Sequence, residues 1–324
     1  MPVIDMHAHI IPRTFSQMVR NGKIEGVSFV QKPPEMLSFN GNFHPYNDLF
    51  HDVQAQFAFM DEHGVDMQAI SVSPRLFFYE YAPGKCAEIC RICNDDIWEL
   101  YKQHPSKFIP VGGLPLQDTG FALGELERIH ALGFRLVQIG TSVGRHTLDE
   151  AFLEPVYKKL EIYKMPVIIH PLIVNDDWKI KQYYLHNFIG NPYQTAAAAA
   201  NLIFGGTLDQ CPDIKFILVH GGGDIPYQLG RMNHGFSVRP SAENECSKTP
   251  ETYIKRNFWF DALTHSTEAL KFLLELVGPE RVLFGTDYPY DMADYEELEK
   301  LKKMGCDSSV IAGISGENFL KLIF

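Results

Sequence analysis

Residues 1–12 read MPVIDMHAHIIP, an apolar run that ends in two histidines, His7 and His9, two positions apart. The part PVIDM has the composition of a short buried strand. Side chains at i and i+2 of a strand project from one face, so the spacing predicts two imidazoles side by side where the strand stops. Neutral imidazole is a common metal ligand, and such a pair suits the gripping of one cation. The pair also fits two loop histidines with no joint role, and the rest of the chain has to decide.

Seven further runs resemble the first: DMQAISVS, KFIPVGGLP, FRLVQIG, MPVIIH, IKFILVH, NFWFDA and RVLFGTD. They are rich in Val, Ile, Leu and Phe rather than alternating, as strands buried on both faces of a parallel sheet are. Helical patterns separate them, beginning near Pro83 and Thr119 and covering DEAFLEPVYKKLEIY, PYQTAAAAANLIFGGTLDQC, DIPYQLGRMNHGF, STEALKFLLELVG and ADYEELEKLKKMG. Eight strand–helix units in 324 residues predict an α/β fold of the (β/α)8 barrel type, one domain over residues 1–324. An open doubly wound sheet would carry a Gly-rich phosphate turn after its first strand, and HAHIIP is unlike one. Two stretches break the rhythm. Residues from about 12 to 57 form a long first connection, read as a small insertion that lids the barrel mouth, and RPSAENECSKTPETY from Arg239 is a polar loop.

The formal net charge of -11 argues against nucleic acid as a partner, since phosphate binding needs clustered Lys and Arg. No basic stretch followed by an apolar core opens the chain, and no apolar run is long enough to span a bilayer. TAAAAANLIFGG reads as a buried helix. A cytoplasmic location is expected, with the six cysteines reduced. CAEICRIC places Cys86, Cys90 and Cys93 in a spacing like that of cluster-binding loops, but NDDIWELYKQH follows it. Spacings of four and three then put the thiols on one helix face, where core packing is the simpler account.

Active sites of such barrels gather at the C-terminal ends of the strands. Strand one ends in His7 and His9, strand five at His170 in VIIHP, strand six at His220 in ILVHGGG, and strand eight at Asp287 in LFGTDYPY. Singly, each has a structural explanation: His170 capping backbone groups, His220 incidental to a glycine turn, Asp287 capping a helix. Together, three histidines and a carboxylate make a ligand set for Zn2+ or a similar divalent ion with one position open, and one histidine remains as acid or base.

With these residues in place, the chain resembles the amidohydrolase superfamily. VIDMHAHIIP, LGFRLVQIGT, VHGGGDIPYQLGRMNHGFSVRP and LFGTDYPY are similar to its decarboxylase branch, typified by 2-amino-3-carboxymuconate-6-semialdehyde decarboxylase. The resemblance implies that His7, His9, His170 and Asp287 hold one metal, usually Zn2+ with Mn2+ also fitting, and that His220 carries a proton. It implies that Arg239 reaches a neighbouring subunit's site, hence a homodimer, and that Tyr290 lines the substrate pocket. Two positions depart from the branch: His44 stands where it has a carboxylate-gripping arginine, and Leu172 where it has a tryptophan. Imidazole cannot copy the forked, permanent charge of a guanidinium, so the expected substrate is a related carboxylated aromatic or muconate-semialdehyde-type acid.

Metal-dependent non-oxidative decarboxylation is therefore the expected chemistry, with His220 and Asp287 sharing the proton work. A mononuclear hydrolase or hydratase is the rival. Gln138 stands in strand four, where two-metal relatives carry a bridging lysine, which favours one metal. A non-enzymatic metal-binding barrel would have no use for His220. Asp261, in FWFDA, either orients a histidine or caps a helix, and Arg75, in SVSPRLFF, meets either substrate or a surface acid. His51 and His63 are read as solvated or structural.

Overall fold

The structure is a computed structural model that describes residues 2–30, 35–172, 178–239 and 245–324. β1 (Ile4–Ile10) is followed by a three-stranded antiparallel sheet of β2 (Val27–Val30), β3 (Met36–Phe39) and β4 (Asn42–Pro45). Then come β5 (Met67–Val72), β6 (Phe108–Gly113), β7 (Leu136–Gly140), β8 (Val167–His170), β9 (Phe216–Leu218), β10 (Phe258–Asp261) and β11 (Val282–Leu283). β1 and β5 to β11 pair in chain order, every pair parallel. The chain beyond the short β11 closes the ring: Met6 N donates to Phe284 O (2.9 Å), Asp287 N to His7 O (2.9 Å) and His9 N to Tyr288 O (2.7 Å). The fold is a (β/α)8 barrel, with eight strands where eight apolar runs stand in the sequence.

Helices return the chain between strands, and polar side chains start several of them. Asp118 accepts from Phe121 N (2.9 Å) ahead of the helix Thr119–Leu132, and Gly133, at φ +117°, ends it. The helix Pro83–Gln103 carries Cys86, Cys90 and Cys93; Cys86 and Cys93 are buried, and burial pushes the Cys86 thiol up to about 11. Cys86 and Cys93 pack in the core, as the helix-face reading expected, and Cys90 is half-buried on the same helix. Among the described residues no helix is long and apolar enough to cross a membrane.

The first connection holds a helix, Arg13–Arg20, and the β2–β3–β4 sheet, then a helix Val53–Glu62 that begins at Asp52 and leads back to β5. Residue 57, the expected far edge of the insertion, thus lies inside the returning helix. Part of the polar loop from Arg239, residues 240–244, lies outside the described residues.

The lower barrel interior is filled by Ile4, Met6, Ala69, Val111, Leu136, Ile168 and Ile217. Strict alternation from Ile4 and Met6 would send His7 and His9 to the opposite face. The β1–β5 register shifts between Asp5 and Ala8. One extra residue there changes the parity of the strand, so the two histidines crown the same interior that Ile4 and Met6 fill.

Candidate active site

The ends of β1 and β8 and the segment after β11 bring His7, His9, His170 and Asp287 together, all buried, with one ligand atom of each within 4.8 Å of the others. Asp287 Oδ1 lies 3.2 Å from His7 Nε2, 3.2 Å from His9 Nε2 and 3.8 Å from His170 Nε2. The opposite ring edges are committed. His7 Nδ1 donates to Asp261 Oδ2 (2.8 Å), His9 Nδ1 to Val72 O (3.2 Å), and His170 Nδ1 to Pro171 O (2.9 Å). A ring that donates through Nδ1 presents its other nitrogen as a lone pair. The three Nε2 atoms and Asp287 Oδ1 make no hydrogen bond. Buried polar atoms left without partners are costly, and four of them converging on one point fit a divalent cation.

Electrostatics follow from this crowding. Burial alone would raise Asp287, yet the His7 charge and the close approach of the His170, His220 and His7 rings hold it well below the usual carboxylate range. Burial likewise works against a charged His7, but Asp287 and Asp261 outweigh it and lift His7 to about 10. Burial lowers His9 and brings His170 down to about 3. The two carboxylates thus favour charge on His7, while burial favours the neutral rings of His9 and His170.

Behind the cluster stand residues that fix it. Asp261, at the end of β10, holds His7 with one oxygen; with the other it accepts from Gly221 N (2.7 Å), tying His7 to the turn that carries His220. Asp261→Asn is expected to weaken metal binding by about 10- to 100-fold, measured by competition with a chelator. Unchanged affinity would show that His7 needs no such support. Asp5 accepts from Thr286 N (3.0 Å) and Thr286 Oγ1 (2.7 Å), which anchors Asp287 at φ +63°, a left-handed conformation that a non-glycine residue holds only under such constraint. Ser71 Oγ lies 3.0 Å from His9 Nδ1 and 2.9 Å from Gln138 Oε1, and Gln138 Nε2 donates to Val72 O (3.1 Å). Gln138 is thus part of the packing behind His9. Asp5, Ser71 and Ser73 were not singled out in the sequence. Their signal is weak: isolated polar residues in or just past apolar strands.

His220 stands beside the cluster, its ring centroid 5.3 Å from those of His7 and His170, with Nε2 3.6 Å from Asp287 Oδ2, and its Nδ1 has no hydrogen bond. It is 18% exposed, against 1% for His7 and 0% for His9. The three glycines after it have positive φ, and a Cβ on Gly222 would come within 2.5 Å of Phe260. The glycines let the turn press against β10 while His220 faces a cleft of about 620 Å³. His220, Asp287, Pro226, Leu263, Phe272 and Met292 are among its lining residues.

The remaining expected residues divide. His44 is buried in β4; its Nδ1 donates to Pro45 O (2.6 Å), and its Nε2 lies 3.0 Å from both Tyr290 OH and Ser73 Oγ. Ser73 Oγ and Tyr290 OH are 2.6 Å apart. Burial brings His44 down to about 4, so it is a neutral ring with both nitrogens engaged. The Tyr290 ring stands edge-on to His9, 5.4 Å between centroids. Leu172 is half-buried two residues past His170, against Gly140. Arg239 is exposed at the C-terminal end of the helix Ile225–Val238, whose first turn lines the cleft. Fourteen residues of helix span about 21 Å, so Arg239 stands well away from its own chain's cluster. His51 stacks on Tyr46 and His63 packs against Phe59 and Tyr295, structural positions as expected.

Comparison with known proteins agrees with this architecture. The chain is 32% identical over 300 residues to the 2-amino-3-carboxymuconate-6-semialdehyde decarboxylase of Dictyostelium discoideum, covering 90% of this chain and 82% of that protein. The apo IDCase of Metarhizium anisopliae superposes with a TM-score of 0.87 at 22% identity, over 99% of this chain and 97% of that one. The 5-carboxyvanillate decarboxylase of Novosphingobium aromaticivorans, complexed with manganese and 4-hydroxy-3-methoxy-5-nitrobenzoic acid, superposes with a TM-score of 0.83 at 21% identity, over 99% and 96%. These two likenesses speak to the fold. The family model described as amidohydrolase matches residues 4–322, nearly the whole chain, and with the relative at 32% identity it establishes that this protein belongs to the amidohydrolase family.

Proposed function

We propose that the protein is a metal-dependent, non-oxidative decarboxylase of a carboxylated aromatic or muconate-semialdehyde-type acid. The observation that carries this reading is the placement of His220: an imidazole that lines the cleft beside the cluster, with Nε2 3.6 Å from Asp287 Oδ2, yet is not one of the four residues whose ligand atoms converge. The kinship with named decarboxylases supports the same class.

His7, His9, His170 and Asp287 would hold the metal. Zn2+ suits their N/O donor set, and the manganese in a structural neighbour makes Mn2+ the second choice. The ion would supply Lewis acidity, drawing the substrate's oxygens into place. The chain's own residues do the rest. His220, as imidazolium, delivers its proton to the carbon that bears the carboxylate. The C–C bond to the carboxylate then breaks, its electron pair restores the conjugated double bond, and CO2 leaves. No electrons are exchanged with a redox partner. Asp287 remains a carboxylate and faces the imidazolium through Oδ2, which orients the ring and balances its charge. The apolar wall of Pro226, Leu263 and Phe272 keeps water from the protonated intermediate. Tyr290 and Leu172 border the substrate, and His44 acts on it through Tyr290.

Arg239 serves the site of a second copy, and the working form is a homodimer in the cytoplasm. Sedimentation at the mass of one chain would remove that part of the reading. The activity is tested by CO2 release from metal-loaded protein across carboxylated aromatics and muconate semialdehydes. Release from at least one acid is expected. Silence across the panel, with lactone or diene turnover instead, would move the protein among the mononuclear hydrolases and hydratases.

A further inference from the structure

Arg75 lies just past β5, in the turn Pro74–Leu76, at the mouth end of the barrel. Its side chain is half-buried, and its Nε is shut off from solvent without a hydrogen bond. Among the described residues no acceptor or acid pairs with this guanidinium. Other partly enclosed arginines are answered: Arg128 by Asp95 and Glu125, at 2.6 Å each, and Arg256 by Asn257 Oδ1 at 2.8 Å. A guanidinium stays charged in proteins, and an enclosed charge without a partner is a costly arrangement. Among the described residues this cation therefore has no anion.

The surroundings say where that anion sits. Two residues before Arg75, Ser73 Oγ contacts Tyr290 OH (2.6 Å), and the Tyr290 ring abuts His9 of the metal cluster. The charge of Arg75 is felt at Tyr290, where it opposes the rise caused by burial, and at His44 and His186, where it adds to the lowering caused by burial. The exposed Glu80 senses it without forming an ion pair. Neutral hydrogen-bonding groups, Ser73, Tyr290 and His44, thus stand beside His9, and the Arg75 charge acts on two of them.

We propose that Arg75 receives a second anionic group of the substrate, a carboxylate held by the guanidinium while the rest of the acid lies toward the His/Asp cluster. This rests on the decarboxylase reading and deepens it: the substrate is a planar acid with two anionic groups, not a monoacid. Arg75 is a specificity residue, and a fork matched to carboxylate geometry is what a diacid selects.

The test is equilibrium binding of isophthalate and benzoate to the metal-loaded protein, by calorimetry. Wild type is expected to prefer isophthalate by on the order of tenfold or more. Arg75→Met is expected to bind benzoate as before and to lose the preference, and Arg75→Lys, which keeps charge without the fork, to fall between. Metal content and melting temperature of each variant check that the cluster and fold persist. A preference that survives in Arg75→Met, or a wild type without one, overturns the assignment. An Arg75-dependent preference in a protein that releases no CO2 would instead leave Arg75 standing and remove the decarboxylase reading. CO2 release whose diacid selectivity ignores Arg75→Met would do the reverse.

Discussion

His220→Ala is expected to lower turnover by about a hundredfold or more, the ordinary worth of a positioned acid–base group, while leaving the metal complement intact. The two halves come from different observations. The metal half follows because His220 is not one of the four residues whose ligand atoms converge: it faces Oδ2 of Asp287, whereas the other imidazoles face Oδ1. The turnover half follows because no other ring at the cleft combines a free nitrogen with contact to Asp287 among the described residues. The backbone gives no reason for collapse, since His220 already sits at φ +56° and alanine meets the same steric cost there as histidine. Turnover and bound metal, measured on one preparation, decide the matter. Near-normal turnover removes His220 from the mechanism, and lost metal converts it into a ligand.

The sequence carried the barrel because parallel strands buried on both faces write themselves as uninterrupted apolar runs, and eight are visible between helices that signal their own starts and stops. It carried the cluster because the fold sends strand ends to one mouth, so His7, His9, His170, His220 and Asp287 are found by reading the last residue of each run. It did not carry the bulge at Met6–His7, since a one-residue register shift depends on pairing with β5 and leaves no mark in composition. Nor did it carry the residues that hold the ligands. Asp5, Ser71 and Gln138 act through contacts to segments 62 to 281 positions away, and no local pattern encodes such a distance. Asp261 was legible as a position but not as a role; only the 2.8 Å contact to His7 distinguishes an orienting carboxylate from a helix cap. His44 shows the converse failure. Register placed it where a charge was expected, and burial in β4 made it a neutral anchor for Tyr290. Arg75, which sequence alone leaves between substrate and surface acid, has no acid partner among the described residues, and that narrows the choice.

His170→Ala is expected to cost the protein its metal. Burial keeps His170 down at about 3, so its Nε2 lone pair is available throughout the physiological range and no proton competes for it. The ring is held by an outward bond to Pro171 O, so its removal subtracts one donor while the outward bonds of His7 to Asp261 and of His9 to Val72 O remain. A structural site with four ligands is worth about 10–16 kcal/mol. Roughly a quarter of that, about 3 kcal/mol or more than a hundredfold in affinity, is the expected loss for one ligand. The loss has a readout that does not depend on catalysis. A ligand that binds only the folded state raises its stability by mass action, so a chelator is expected to lower the melting temperature of wild type and to leave His170→Ala nearly unmoved. The variant should also fail to retain Zn2+ or Mn2+ through gel filtration. A full metal complement in His170→Ala, with the chelator shift preserved, would mean that the three remaining residues suffice and that His170 was placed among the ligands wrongly. Coming from β8, it would tie a metal across the barrel to β1, and its loss would leave donors only from β1 and the segment that closes against it.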